Sequence, residues 1–151
     1  CPDFIKNRQI TDPWILGDRV AWQEESLRKD YAALSHLLNL RTPIQAESQL
    51  IHGDFTGNVL FSQYQTPAVI DISPYWRPVG FAYGIVVADA VCWEKANAEI
   101  LLEQVSHVED FAQFLVRALI FRMVTTIAVA KNEPDLAGYA PGIDLAAKLV
   151  S

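Results

Sequence analysis

At 151 residues, with 51% hydrophobic and 20% charged side chains, the chain is long and apolar enough to bury a sizeable core, which excludes disordered and fibrous classes. Eighteen acids against 12 bases leave a net charge of −6, which excludes sequence-independent binding to nucleic-acid phosphates. The two cysteines, Cys1 and Cys92, supply neither a disulfide framework nor a metal-ligand spacing, so a reducing cytoplasm is expected.

Residues 1–21 carry two prolines and scattered aromatics without a sustained period, and read as an irregular entry segment whose Trp14 docks on the core with Trp22. From about Trp22 the stripe Leu27, Tyr31, Leu34, Leu38 predicts an amphipathic helix ending near Leu40, before Thr42-Pro43. Three short β-branched or aromatic runs follow, Leu50–Ile51, Val59–Phe61 and Val69–Ile72. Polar residues 62–67 between the last two predict a hairpin. Pro74 and Pro78 bracket an extended connector through Tyr75, Trp76 and Arg77, read as a packed aromatic crossing.

A nearly all-apolar helix is predicted over 80–97 and a short one over 98–104. Ser106 and Glu109 have the form of a capping box, which predicts a long buried helix from there to about Lys131. Pro134, Gly138, Pro141 and Gly142 then break the chain before a terminal helix over 143–150. The apolar stretches Val79–Trp93 and Phe114–Ala130 are shorter than a bilayer span of about 20 residues, so buried core helices are expected and a membrane is not. With no repeat, low-complexity tract or rich linker, residues 1–151 are expected to form a single domain.

Polar groups collect where the short apolar runs end: His52, Asp54, Asn58 and Asp71. Asp54 can accept a proton from a hydroxyl, or cap the turn after Gly53. Asn58 and Asp71 offer hard oxygens of the kind that hold Mg²⁺ with a nucleotide's phosphates; as an alternative, Asn58 is a turn residue before its strand. An unpaired Asp71 at the end of an apolar strand would be costly. His52, beside Ile51, reads as a satisfied structural residue, and His36 and His107 as helix-surface and helix-start residues. Asp89 lies among Val86-Val87-Ala88 and Ala90-Val91 and needs a partner, for which Arg77 or the backbone of loop 52–58 is expected.

The series His52-Gly53-Asp54, Asn58, Val59-Leu60-Phe61 and Ile70-Asp71 resembles the motif of the aminoglycoside phosphotransferase-like (kinase-like) family of small-molecule kinases. The resemblance covers about residues 20–130 and is specific only over 51–71. It implies an α+β, mostly helical fold, the C-terminal lobe of a protein-kinase-like fold with a short β-hairpin carrying the catalytic loop. It further implies ATP-dependent phosphoryl transfer to a small-molecule hydroxyl. Asp54 would be the catalytic base, Asn58 and Asp71 the Mg²⁺ and nucleotide ligands, and His52 and Asp89 structural supports.

Two departures stand beside it. Asn58 follows Asp54 by four residues where the family's spacing is five, and Ile72-Ser73-Pro74-Tyr75-Trp76-Arg77-Pro78 replaces a Gly/Asp-rich turn. No glycine-rich loop or strand lysine is readable, and Lys6 lacks strand context. The expectation is the C-terminal portion of a larger protein, inactive by itself, with apolar surface left for the smaller lobe or for self-association. A catalytically inactive kinase-like module that binds a nucleotide or a partner is the alternative. A metal-dependent hydrolase built on His52, Asp54 and Asp71 is disfavoured for want of a second well-placed His.

Overall fold

An aspartate and a proline start the first core helix. The computed structural model describes residues 1–151. After a single turn of helix, α1 (Asp3–Lys6), the Asp12 carboxylate accepts the amides of Trp14 at 2.9 Å and Ile15 at 3.4 Å, and Pro13 occupies the first turn of α2 (Pro13–Ala21). The irregular entry segment read from the sequence is thus half helical, and α2 is part of the core through Ile15, Val20 and Ala21.

The helix expected from Trp22 does not begin there. Gln23 takes a left-handed φ of 63°, which ends α2, and α3 (Ala32–Asn39) starts only after Tyr31 in extended conformation. Leu27 and Tyr31, part of the predicted stripe, pack against the core from the connecting loop.

β1 (Gln49–His52) pairs antiparallel with β4 (Pro74–Arg77), Ile51 opposite Tyr75. The connector read from Pro74 and Pro78 is therefore a strand. Proline is tolerated as its first residue because no ladder N–H is needed there. Between them β2 (Val59–Leu60) and β3 (Ala68–Val69) form the expected hairpin, Val59 opposite Val69. Every residue from Leu60 to Ile72 is exposed.

α4 (Val79–Cys92) stops five residues short of the predicted Asn97, where Trp93 caps it and Lys95 is left-handed at φ 52°. Asn97 instead caps α5 (Ala98–Gln104), its Oδ1 accepting the Glu99 amide at 2.9 Å. The Ser106–Glu109 capping box does not form: Ser106 Oγ donates to the Glu103 carbonyl, and α6 (Phe111–Val129) starts after a left-handed Asp110. The last helix, α7 (Ala140–Val150), begins earlier than predicted, since Pro141 is accommodated in its first turn.

α6 is the axis of this α+β, mostly helical fold. It is long and apolar enough to cross a bilayer, yet 67% of that window is buried against the rest of the chain, which makes it a core helix. Gly17 of α2 meets the Phe121 carbonyl, and Gly84 of α4 meets the Phe114 backbone, so neither position has room for a Cβ. Edge-to-face rings tie the elements together: Trp22 to Phe81 at 5.4 Å, Phe81 to Phe121 at 5.9 Å, and Phe121 to Tyr75 at 5.6 Å. Strand β4 is thereby held to α6, and with it the loop that follows β1.

Candidate active site

The loop 53–58 is pinned from below. The Gly53 amide donates to the Ser73 carbonyl at 2.7 Å, and a Cβ at Gly53 would lie 2.3 Å from the Tyr75 ring, so this crossing requires glycine. His52 Nδ1 accepts the Asp54 amide at 3.0 Å, and the imidazole stands edge-on to Phe55 at 5.2 Å. The chain then turns through Gly57 at φ 80° to Asn58, whose amide reaches the Phe55 carbonyl at 3.0 Å. Asn58 Nδ2 donates to the Asp54 carbonyl at 2.8 Å and to its Oδ2 at 3.4 Å. Four-residue spacing thus closes a tight loop in which acid and amide touch.

From the opposite side comes a residue the motif does not contain. Arg122 of α6 donates through Nε to Asp89 Oδ1 at 2.9 Å, and through Nη2 to Asp89 Oδ2 at 2.6 Å and Asp54 Oδ1 at 2.7 Å. Burial works against its charge, but the bonds to Asp89 and Asp54 outweigh it and hold the guanidinium above its ordinary pKa. Asp89, 5% exposed, therefore has Arg122 as its partner, not Arg77 or the loop backbone. Arg77 is engaged elsewhere, donating to both oxygens of Asp18 at 2.9 and 2.7 Å and to Glu24 at 2.6 and 3.0 Å.

Asp71 sits at the turn out of β3 with a left-handed φ of 48°, exposed to solvent. Asp54 and Asp71 line one cavity of about 330 Å³, together with Arg8, Asp12, Ser73 and Tyr75. The Asp54 side chain is 41% exposed, so its ion pair does not seal it from that space. Asn58 is off the wall but bonded to Asp54; His52 and Asp89 lie behind it, acting on Asp54 through its amide and through Arg122. A neighbouring cavity of about 390 Å³, on the other side of Arg8 and Tyr75, contains neither Asp54 nor Asp71.

Tyr75 lines both cavities. Its hydroxyl is buried without a hydrogen-bond partner, and burial pushes the phenol up to about 12, against smaller lowering from Arg8.

The donors that share the cavity are the carboxylates of Asp54 and Asp71, within the one or two that Mg²⁺ takes before water and phosphate oxygens complete its shell, while Asn58 Oδ1 accepts no hydrogen bond but lies off the wall. No group of three or more His, Cys, Asp or Glu side chains is arranged to hold a metal. Arg122 and Arg8 are the participants that motif reading passed over. For Arg122 a signal was present: an arginine between Phe121 and Met123 in an apolar helix calls for an acid. No protein-family model, no curated protein and no solved structure matches the chain.

Proposed function

We propose that this chain is the C-terminal lobe of a protein-kinase-like phosphotransferase, which transfers the γ-phosphoryl group of ATP to a hydroxyl of a small molecule in the cytoplasm. The observation that carries the reading is the common cavity of Asp54 and Asp71, with Asn58 tied to Asp54. Arg122 holds Asp54 Oδ1, which leaves Oδ2 to orient the acceptor hydroxyl and take its proton. Asn58 and Asp71 would hold Mg²⁺, which when bound supplies charge neutralisation to the polyphosphate. His52 fixes the loop through the Asp54 amide, and Asp89 orients Arg122. The exposed apolar residues of the hairpin, Leu60, Phe61, Val69 and Ile70, are assigned to contact with a further lobe that covers the nucleotide.

The test is turnover of the protein with that lobe in place, read as ADP release over a panel of hydroxyl-bearing metabolites. Asp54→Asn is expected to abolish the stimulated release. Unchanged turnover in the variant would return Asp54 to the capping of a turn.

A second reading, a catalytically inactive kinase-like module, is favoured by the Arg122 guanidinium on Asp54 and by the shortened loop. It predicts Mg-ATP binding that depends on Asp71 with no acceptor-dependent ADP release.

A further inference from the structure

The cavity that Asp54 and Asp71 line also carries a cation without an ion-pair partner. Arg8, in the loop between α1 and α2, donates Nη1 to the Pro74 carbonyl, and its guanidinium carbon stands 4.8 Å from the centroid of the Tyr75 ring. Its own carbonyl accepts Arg19 Nη2 at 2.9 Å, which fixes the backbone that presents it. Arg8 makes no salt bridge, and its Nη2 and Nε donate to no protein acceptor. A neutral carbonyl and an aromatic face therefore hold the group in place, with Asp18 acting on it only at longer range and no carboxylate bonded to it.

Of the carboxylates that line this cavity, Asp12 and Asp54 are already hydrogen-bonded, while Asp18 and Glu24 on the neighbouring one pair with Arg77. Asp12 accepts the two amides at the start of α2, and Asp54 accepts Arg122. Asp71 alone makes no recorded side-chain bond, which leaves it to a metal ion. A divalent cation on Asp71 brings its phosphate oxygens with it, and Arg8 is the basic side chain lining the cavity whose N–H donors are free to meet them. A planar guanidinium with two free donor positions matches the paired oxygens of a phosphate. We propose that Arg8 is the phosphate-binding cation of this chain, holding the terminal phosphate of a Mg²⁺-nucleoside triphosphate across the cavity from Asp71.

The proposal rests on the phosphotransferase reading and assigns to Arg8 the charge that a strand lysine would otherwise bring. It is tested on the 151-residue chain by NMR, titrating Mg²⁺-tripolyphosphate and following the Arg8 Nε–H and the Asp71 amide. Both signals are expected to move together along one binding curve. Arg8→Ala should weaken that curve about tenfold to a hundredfold, the range expected for loss of a charge-assisted pair. Arg8→Gln, which keeps a donor for the Pro74 carbonyl, should do the same if the alanine variant folds poorly. Arg28→Ala, which removes an exposed cation away from the cavity, should leave it unchanged.

Equal affinity in wild type and Arg8→Gln overturns the proposal, as does an unmoved Arg8 signal at saturation in the wild type. If Asp71→Gly loses binding while Arg8→Gln does not, the phosphotransferase reading stands without Arg8. If Asp71→Gly binds as wild type does, that reading falls on its own account. Orthophosphate without Mg²⁺ binding as tightly as the magnesium complex would make this a phosphomonoester site and overturn the nucleotide assignment.

Discussion

Arg122 and Asp54 are joined by a 2.7 Å ion pair across 68 residues of sequence, and the same guanidinium nitrogen lies 2.6 Å from Asp89. The loop carrying the candidate base is therefore fastened to the central helix by a side chain that also neutralises a buried acid. Removing it exposes both obligations at once.

Arg122→Ala is expected to cost about 3–5 kcal/mol, the range for a buried carboxylate left without its partner, here Asp89. Urea denaturation of the variant measures it. The double variant Arg122→Met, Asp89→Leu should recover much of the loss, because an apolar pair leaves no charge uncompensated. A cost below about 1 kcal/mol for Arg122→Ala would show that water reaches Asp89.

Asp71→Gly separates ligand from fold. A left-handed φ of 48° strains any residue with a Cβ and is open to glycine, so the variant should match or exceed the wild type in thermal stability. On the phosphotransferase reading, calorimetric titration of Mg-ATP should show binding to the wild type and none to the variant.

Gly53→Ala drives a methyl group against the Tyr75 ring, 2.3 Å away at the start, and should cost about 1–3 kcal/mol through forced displacement of the loop. The Tm of the variant reports the cost. Chemical-shift changes should spread from His52 to Asn58 and, through the Tyr75 ring and the Asp54 ion pair, to Phe121 and Arg122 of α6.

Tyr75 sets an alkaline limit. Its phenol titrates at about 12 in the folded protein because burial disfavours the phenolate, against about 10 for an unfolded tyrosine. The folded state thus keeps a proton that the unfolded state releases. The corresponding stability is complete below pH 10 and is lost as pH rises from about 10 to 12. Tyr75→Phe should flatten that limb in urea midpoints measured from pH 9 upward. At pH 7 it should be nearly neutral, because the hydroxyl it removes has no partner.

What the sequence carried well was local. The alternation of short apolar runs with polar turns located β1 and the β2–β3 hairpin, and the apolar period located α4 and α6, because strands and buried helices write their own spacing into the chain. Boundaries were lost where a single left-handed residue decided them, at Gln23, Lys95 and Asp110, none of them a glycine. The Ser106–Glu109 pattern misled because its serine closes the preceding helix through the Glu103 carbonyl. Asp12-Pro13 was a legible helix start, outweighed in reading by the lack of a long apolar period in so short a helix.

At the site, residues 52, 54, 58 and 71 are close in sequence, and the hairpin between them keeps the segment local. Arg122 and Arg8 are not, and only tertiary packing supplies them. Asp89 has two arginines of α6 as candidates, and packing decides between them: Arg122 takes Asp89, while Arg117 is satisfied by Gln113 and the Thr42 carbonyl.

The span from Asp54 to Arg122 also sets when the site comes into being. Contacts within loop 53–58 close over a few residues, while the clasp on Asp54 closes a loop of 68 residues and needs α6 to be docked first. During synthesis the candidate base emerges well before its counter-ion, so a nascent chain released before α6 would carry the motif complete in sequence and unassembled in space.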